Sequence, residues 1–132
     1  MRVKREIAVT AIVTESLKEE LLQQIQASLE RVDASQKEME AQSRHFMLQL
    51  PSADMVSALR QQVETETRRF ERTRRELRER REEVSKLTIG DRVPYTTLEG
   101  EVDVAVGDNL IEKVANAEIV IKDGVIQEIR EG

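Results

Sequence analysis

Residues 46–56, FMLQLPSADMV, interrupt a pattern that otherwise runs through the middle of the chain. Reading back from them, Leu50, Phe46, Ser43, Met39, Gln36, Val32, Leu29, Ile25 and Leu22 alternate at steps of three and four, a heptad stripe with Leu22 at position a. Reading forward, Val56, Leu59, Val63, Glu66, Phe70, Thr73, Leu77, Arg80, Val84 and Leu87 form a second stripe. The spacing predicts one helix over 15–50, a turn at 51–53 and a second helix over 54–87. Thr14 is placed to cap the first helix, with Glu15, Glu19 and Glu20 near its positive end. Pro51 suits a first helical turn, and Ser52 can cap the second helix. A link this short folds the second helix back along the first, so the expected form is a long antiparallel α-helical coiled-coil hairpin. Each arm then spans roughly 54 Å at ~1.5 Å per residue.

Antiparallel pairing sets e positions against e positions. Gln26, Asp33, Glu40 and Met47 then face Arg60, Thr67, Arg74 and Arg81, so acid meets base. A parallel self-pair of the second helix would put Arg69 beside Arg74 instead. Two registers are open. The preferred one sets Val32 against Phe70 and Ile25 against Leu77, which suits a tight turn. The other matches Met39 with Phe70 and Gln36 with Thr73 across a looser turn. In either, Gln36, Ser43, Glu66, Thr73 and Arg80 weaken the seam, and two helices with such gaps need further support.

That support is expected from the chain's two ends, which a hairpin brings back together. Val3, Arg5, Ile7, Val9, Ala11 and Val13 alternate with Lys4, Glu6, Ala8, Thr10 and Ile12, a strand pattern over residues 1–14. In 88–132, Pro94 marks an edge or loop, and EGEVDVAVGD puts Val102, Val104 and Val106 on one face. EIVIKDGVIQEIR reads as a β-hairpin; a three-residue loop of Lys122, Asp123 and Gly124 places Ile119, Ile121, Val125 and Ile129 together. The other face then takes Glu118, Val120, Ile126 and Glu128. Residues 108–116 fit a short helical turn capped by Asp108 as well as a loop. The expected fold class is therefore α+β, with the helical hairpin of 15–87 on a small antiparallel β head built from 1–14 and 88–132.

Bulk composition agrees with an elongated form. Only 39% of the 132 residues are hydrophobic and 2% aromatic, against 36% charged, which favours a thin apolar seam over a large core. There is no cysteine, so disulfides, thiolate metal sites and a cysteine nucleophile are excluded. No run approaches the ~20 apolar residues of a membrane span, and the alternating N-terminal stretch reads as a strand, not a signal peptide. A cytoplasmic protein is expected. The net charge of −5 is uneven: residues 1–14 and 52–87 each carry +2, whereas 15–51 carry −3 and 88–132 carry −6.

The stretch from Arg68 to Glu83, RRFERTRRELRERREE, holds eight arginines and five glutamates. The arginines circle the helix, and Glu64–Arg68, Glu71–Arg75 and Glu76–Arg80 are spaced four apart in the favourable order. A solvated, self-paired helix is the first reading; a phosphate-binding surface of Arg68, Arg69, Arg72, Arg75 and Arg78 is the second. His45 has Gln42 where a di-metal bundle would carry a glutamate, so it reads as a surface histidine. The Gly-Asp pairs at 90–91 and 107–108 read as turns without a phosphate loop's lysine, and no glutamate pair sits in an evident apolar pocket. No catalytic residue, metal site, cofactor or small-molecule substrate is expected. Phe46, Met47, Leu48, Leu50 and Met55 are the candidate partner-binding residues, because Met47 and Leu48 fall at e and f, outside a two-helix seam.

The order EIAVTAIVTESLKEEL, charged helical pair, VDVAVGD and IVIKDGVIQEIR resembles the YlqD-like family of small bacterial proteins over essentially the whole chain. The matching motifs are structural strands and turns. The resemblance implies the fold and a cytoplasmic bacterial setting but no activity and no catalytic residue. Some relatives are encoded near ribosome-maturation genes, which implies an RNA-associated role as the alternative. The leading expectation is a non-enzymatic protein–protein interaction or scaffold protein, a homo-oligomer or a binder of another protein, self-associating through the coiled-coil hairpin.

Overall fold

The computed structural model describes residues 1–131. Strand β1 (Arg2–Ile12) leads into helix α1 (Glu15–Met47), which is followed by α2 (Ala53–Ser85), β2 (Arg92–Asp103), α3 (Leu110–Ala115), β3 (Glu118–Lys122) and β4 (Val125–Arg130). The chain divides into a sheet-bearing unit, Met1–Glu19 with the chain from Leu87 onward, and a helical unit, Glu20–Lys86. The fold is mixed α+β.

In the first unit the four strands form one sheet in the order β2-β1-β3-β4. β1 pairs antiparallel with β2 along its whole length and β3 pairs antiparallel with β4, but β1 and β3 run parallel, Val9 opposite Ile119 and Ala11 opposite Ile121. An all-antiparallel sheet is therefore corrected. Strand alternation reports which face a side chain takes and carries no information on direction. Direction follows from the path: β2 ends opposite Arg2, α3 follows, and β3 starts level with Ala8 on the free side of β1.

β2 begins at Arg92 and includes Pro94, with a bulge opposite Val9 and Thr10 that absorbs the proline. Val102 lies within it. Val104 and Val106 lie beyond its end, and Val106 is fully exposed. Asp123 and Gly124 alone form the β3–β4 turn, both at positive φ, with Lys122 paired to Val125. The three-residue loop is thus corrected. A compensating bulge between Ile121 and Val120 leaves Gln127 unpaired, so Ile119 faces Ile129 while Ile121 faces Ile126. It is Ile126, and not Val125, that joins the isoleucine face.

One face of β1 buries Val9 and Ala11, and Val13 just beyond is fully buried. The Val13 amide donates to Asp91 O at 2.7 Å, and the amide of Gly90, itself left-handed at φ 95, donates to Val13 O at 2.8 Å. Val120 is buried on the opposite face. Thr14 caps α1 as expected: its hydroxyl accepts from the Leu17 amide at 3.1 Å and donates to Asp123 Oδ1 at 2.7 Å. α3 is capped by Asn109, whose Oδ1 accepts from the Glu112 amide; Asp108 instead accepts from Ala105.

The helical unit keeps the expected helices with α1 ending at Met47, three residues early. Ser52, in extended conformation, caps α2 by accepting from the Met55 amide. Ile25, Leu29 and Val84 are buried, and most other stripe positions are half-buried. Thr73, Arg80 and Phe46 are exposed. Arg74 takes the shielded place expected of Thr73: it donates to Asp33 Oδ1 at 3.1 Å from Nε, pairs with it at 3.0 Å from Nη2, and donates to Gln36 Oε1. The acid-to-base pairing of e positions is present at Asp33 and Arg74. These bonds correct the preferred register, which would put Arg74 level with Ser28 and so roughly 7.5 Å and 12 Å of helix axis from its two partners. The register that matches Gln36 with Thr73 accommodates both bonds.

Candidate functional site

The link between α1 and α2 places the five predicted partner-binding residues unequally. Phe46, Leu48 and Met55 are 59%, 87% and 47% exposed, whereas Met47 and Leu50 are half-buried. Met47, read as outside the seam, is thus the shielded residue, and Phe46, read as inside it, is exposed. The helix ends here: Gln49 N donates to Phe46 O at 3.0 Å and Leu50 N to Met47 O at 3.4 Å, tightening the last turn before Pro51. His45 is exposed, with a ring nitrogen 3.3 Å from Gln49 Nε2.

Along α2 all five predicted arginines, Arg68, Arg69, Arg72, Arg75 and Arg78, are exposed. Their pairing differs from expectation. Arg69 meets Glu66 at 3.2 Å, one turn back. None of Glu64–Arg68, Glu71–Arg75 and Glu76–Arg80 forms an ion pair; among the described residues Arg68, Arg72, Arg75, Arg78, Arg80 and Arg81 have no carboxylate within 4 Å. Long exposed side chains lose more rotamer freedom than a screened pair returns, so spacing alone does not close these bridges. A concavity of about 520 Å³ lies on this helix, where Arg74, Arg75, Arg78 and Arg81 alternate with Glu71, Glu79 and Glu82.

The sheet-bearing unit has a second concavity, of about 670 Å³, mostly acidic: Glu101, Asp103, Asp108, Glu112 and Glu131 with Arg5 and Lys113. Arg5 Nη1 donates to Lys113 O at 3.3 Å and Glu131 O at 3.0 Å, tying the end of α3 and the end of the described chain to β1; its Nε is buried without a partner. Alternation read Arg5 only as an inward strand residue. No sequence signal separates a structural arginine of this kind from a solvated one.

Among the described residues no three histidine or carboxylate groups are placed to hold a metal ion, and no helix is long and apolar enough to cross a membrane. The architecture is that of a small α+β protein in which a four-stranded sheet accompanies two long, highly charged helices. Within that class the chain belongs to the YlqD family, whose description, YlqD protein, matches residues 1–130. It is also similar to the crystal structure of a protein of unknown function from Synechococcus sp. WH 8102, with 31% identity over 99% of this chain and 96% of that one and a TM-score of 0.91. Among curated proteins none matches.

Proposed function

We propose that the chain is a non-enzymatic interaction or scaffold protein, cytoplasmic, whose helices pair as an antiparallel coiled-coil hairpin and present the α1–α2 link to another protein. The observation that supports this is the exposure of Leu48 in the short link and of Phe46 and Met55 in the helix ends that flank it. Large apolar side chains gathered at one place lower the free energy when a partner removes them from water, at about 25 cal/mol per Å² of apolar surface. Methionine and leucine adapt to partners of varied shape. The test is quantitative capture from a native lysate with the wild-type chain and with the triple variant Phe46→Ser, Leu48→Ser, Met55→Ser. The variant should lose specific proteins at unchanged helicity by circular dichroism; recovery of the same set at the same amounts rejects the reading.

A second reading, an RNA- or ribosome-associated protein, is favoured by a separate observation: among the described residues, Arg68, Arg72, Arg75, Arg78, Arg80 and Arg81 of α2 are without a carboxylate partner. Guanidinium groups free of internal pairs are available to phosphate oxygens, and their binding would weaken as salt rises, because releasing the counterions of the nucleic acid then gains less entropy. Arg68→Gln, Arg72→Gln and Arg75→Gln together should reduce both the affinity for structured RNA and its salt slope. Binding that is absent at low salt, or that does not respond to salt, removes this reading.

A further inference from the structure

The sheet ends in two open edges, β2 and β4. An open edge offers unpaired backbone donors and acceptors to any extended chain, and natural proteins block such edges with charge, proline or bulges. β2 is blocked: it contains Pro94 and a bulge, and it carries Glu99, Glu101 and Asp103 on one face. An antiparallel copy centred anywhere from Glu99 to Asp103 sets carboxylate against carboxylate. β4 is different. All six of its residues are exposed, including Val125, Ile126 and Ile129.

Its charge pattern is self-complementary in one register. Past the bulge at Gln127, β4 is regular, with Ile129 on one face and Glu128 and Arg130 on the other. A two-fold copy centred on Glu128 opposes two glutamates, and one centred on Arg130 opposes two arginines. Centred on Ile129, it stacks isoleucine on isoleucine and sets Glu128 against Arg130 twice. The internal contacts of these charges leave both side chains accessible: Arg130 lies 3.5 Å from Glu118 and 3.6 Å from Glu128, and Glu128 accepts a hydrogen bond from Arg92 at 3.2 Å through one carboxylate oxygen. Their remaining hydrogen-bonding capacity is free for a second chain. The same register continues the apolar row Val9, Ile119, Ile129 directly into the row of the copy.

We infer that β4 is a homodimerisation edge, at which a second copy of this chain adds antiparallel about Ile129 to extend the sheet through both molecules. This surface is independent of the α1–α2 link and of the arginines of α2. Charge reversal tests it with a built-in rescue. Sedimentation velocity at low salt should give the mass of two 15.2 kDa chains for the wild type. Glu128→Arg and Arg130→Glu should each weaken association at least about tenfold, because each opposes like charges twice. An equimolar mixture of the two variants should regain the dimer, since one chain then offers two arginines at these positions and the other two glutamates; the double reversal in one chain should dimerise as well. Phe46→Ser with Leu48→Ser should leave the mass unchanged. A monomeric wild type, single variants that stay dimeric, or a mixture of folded variants that stays monomeric would each overturn the inference.

Discussion

In the sheet-bearing unit the buried side chains are small or β-branched, Val9, Ala11, Val13, Ala117 and Val120, and they are brought together from the two ends of the sequence. In the helical unit they are Ile25 and Leu29 on the α1 stripe and Val84 on the α2 stripe, and most other members of both stripes stay half-wet. The sheet recruits polar groups as ties: Thr14 joins a helix cap to a β-turn, and Arg5 holds two carbonyls at once. In the helical unit, among the described residues, Arg74 is a tie of that kind. The difference shows two routes to order in a chain poor in large apolar residues. One closes long-range backbone ladders and buries small apolar residues on both faces of the sheet, and the other spreads weak contacts over length.

The contrast can be broken most severely at Val13. Val13→Asp puts a carboxylate where no water or cation reaches it and should cost more than about 3 kcal/mol, unfolding the sheet in urea titrations followed by circular dichroism. Ile25→Ala should cost about 2–3 kcal/mol, less than a core deletion at its worst, because a half-wet stripe can close over the gap. Gly124→Ala forces a Cβ into a left-handed turn position and should cost about 1 kcal/mol, read as a lowered thermal midpoint. The Arg74–Asp33 pair is partly shielded, with the Asp33 side chain 57% exposed, so a double-alanine cycle should give a coupling of only about 0.5–1 kcal/mol, shrinking with salt. Phe46→Ser should sit within about 0.5 kcal/mol of wild type while altering what the protein binds, which separates a docking residue from a structural one.

The helical unit was the more legible of the two. A period of three and four survives polar substitutions at several sites, and the caps at Thr14 and Ser52 follow from side-chain chemistry alone. Its register was not legible, because Gln36, Ser43, Thr73 and Arg80 gave the two candidate alignments nearly equal apolar overlap. A single long side chain, Arg74, carries the bonds that choose between them. The sheet was legible in strand content but not in direction, since β1 reads the same beside a parallel or an antiparallel neighbour. At Asp123-Gly124 the local turn signal and the wish to keep isoleucines on one face pointed to different loops. The bulge at Gln127 satisfies both, and bulges have no dependable sequence mark. Leu48 was found because it fell off the heptad frame, whereas the exposure of Phe46, which lies on the frame, and the shielding of Met47, which lies off it, were hidden, as was the unpaired state of Arg68, Arg72 and Arg75, since favourable spacing does not guarantee contact.

The place of β1 in the sheet also bears on how the protein is made. As the second of four strands it is flanked on both sides, yet it is translated first, and roughly 80 residues separate its end at Ile12 from its earliest neighbour at Arg92. At ribosomal speeds of about 5–20 residues per second, the nascent strand waits some 4–16 s with both edges bare. Chaperone dependence during synthesis, more than equilibrium stability, is where this topology should make itself felt in a living cell.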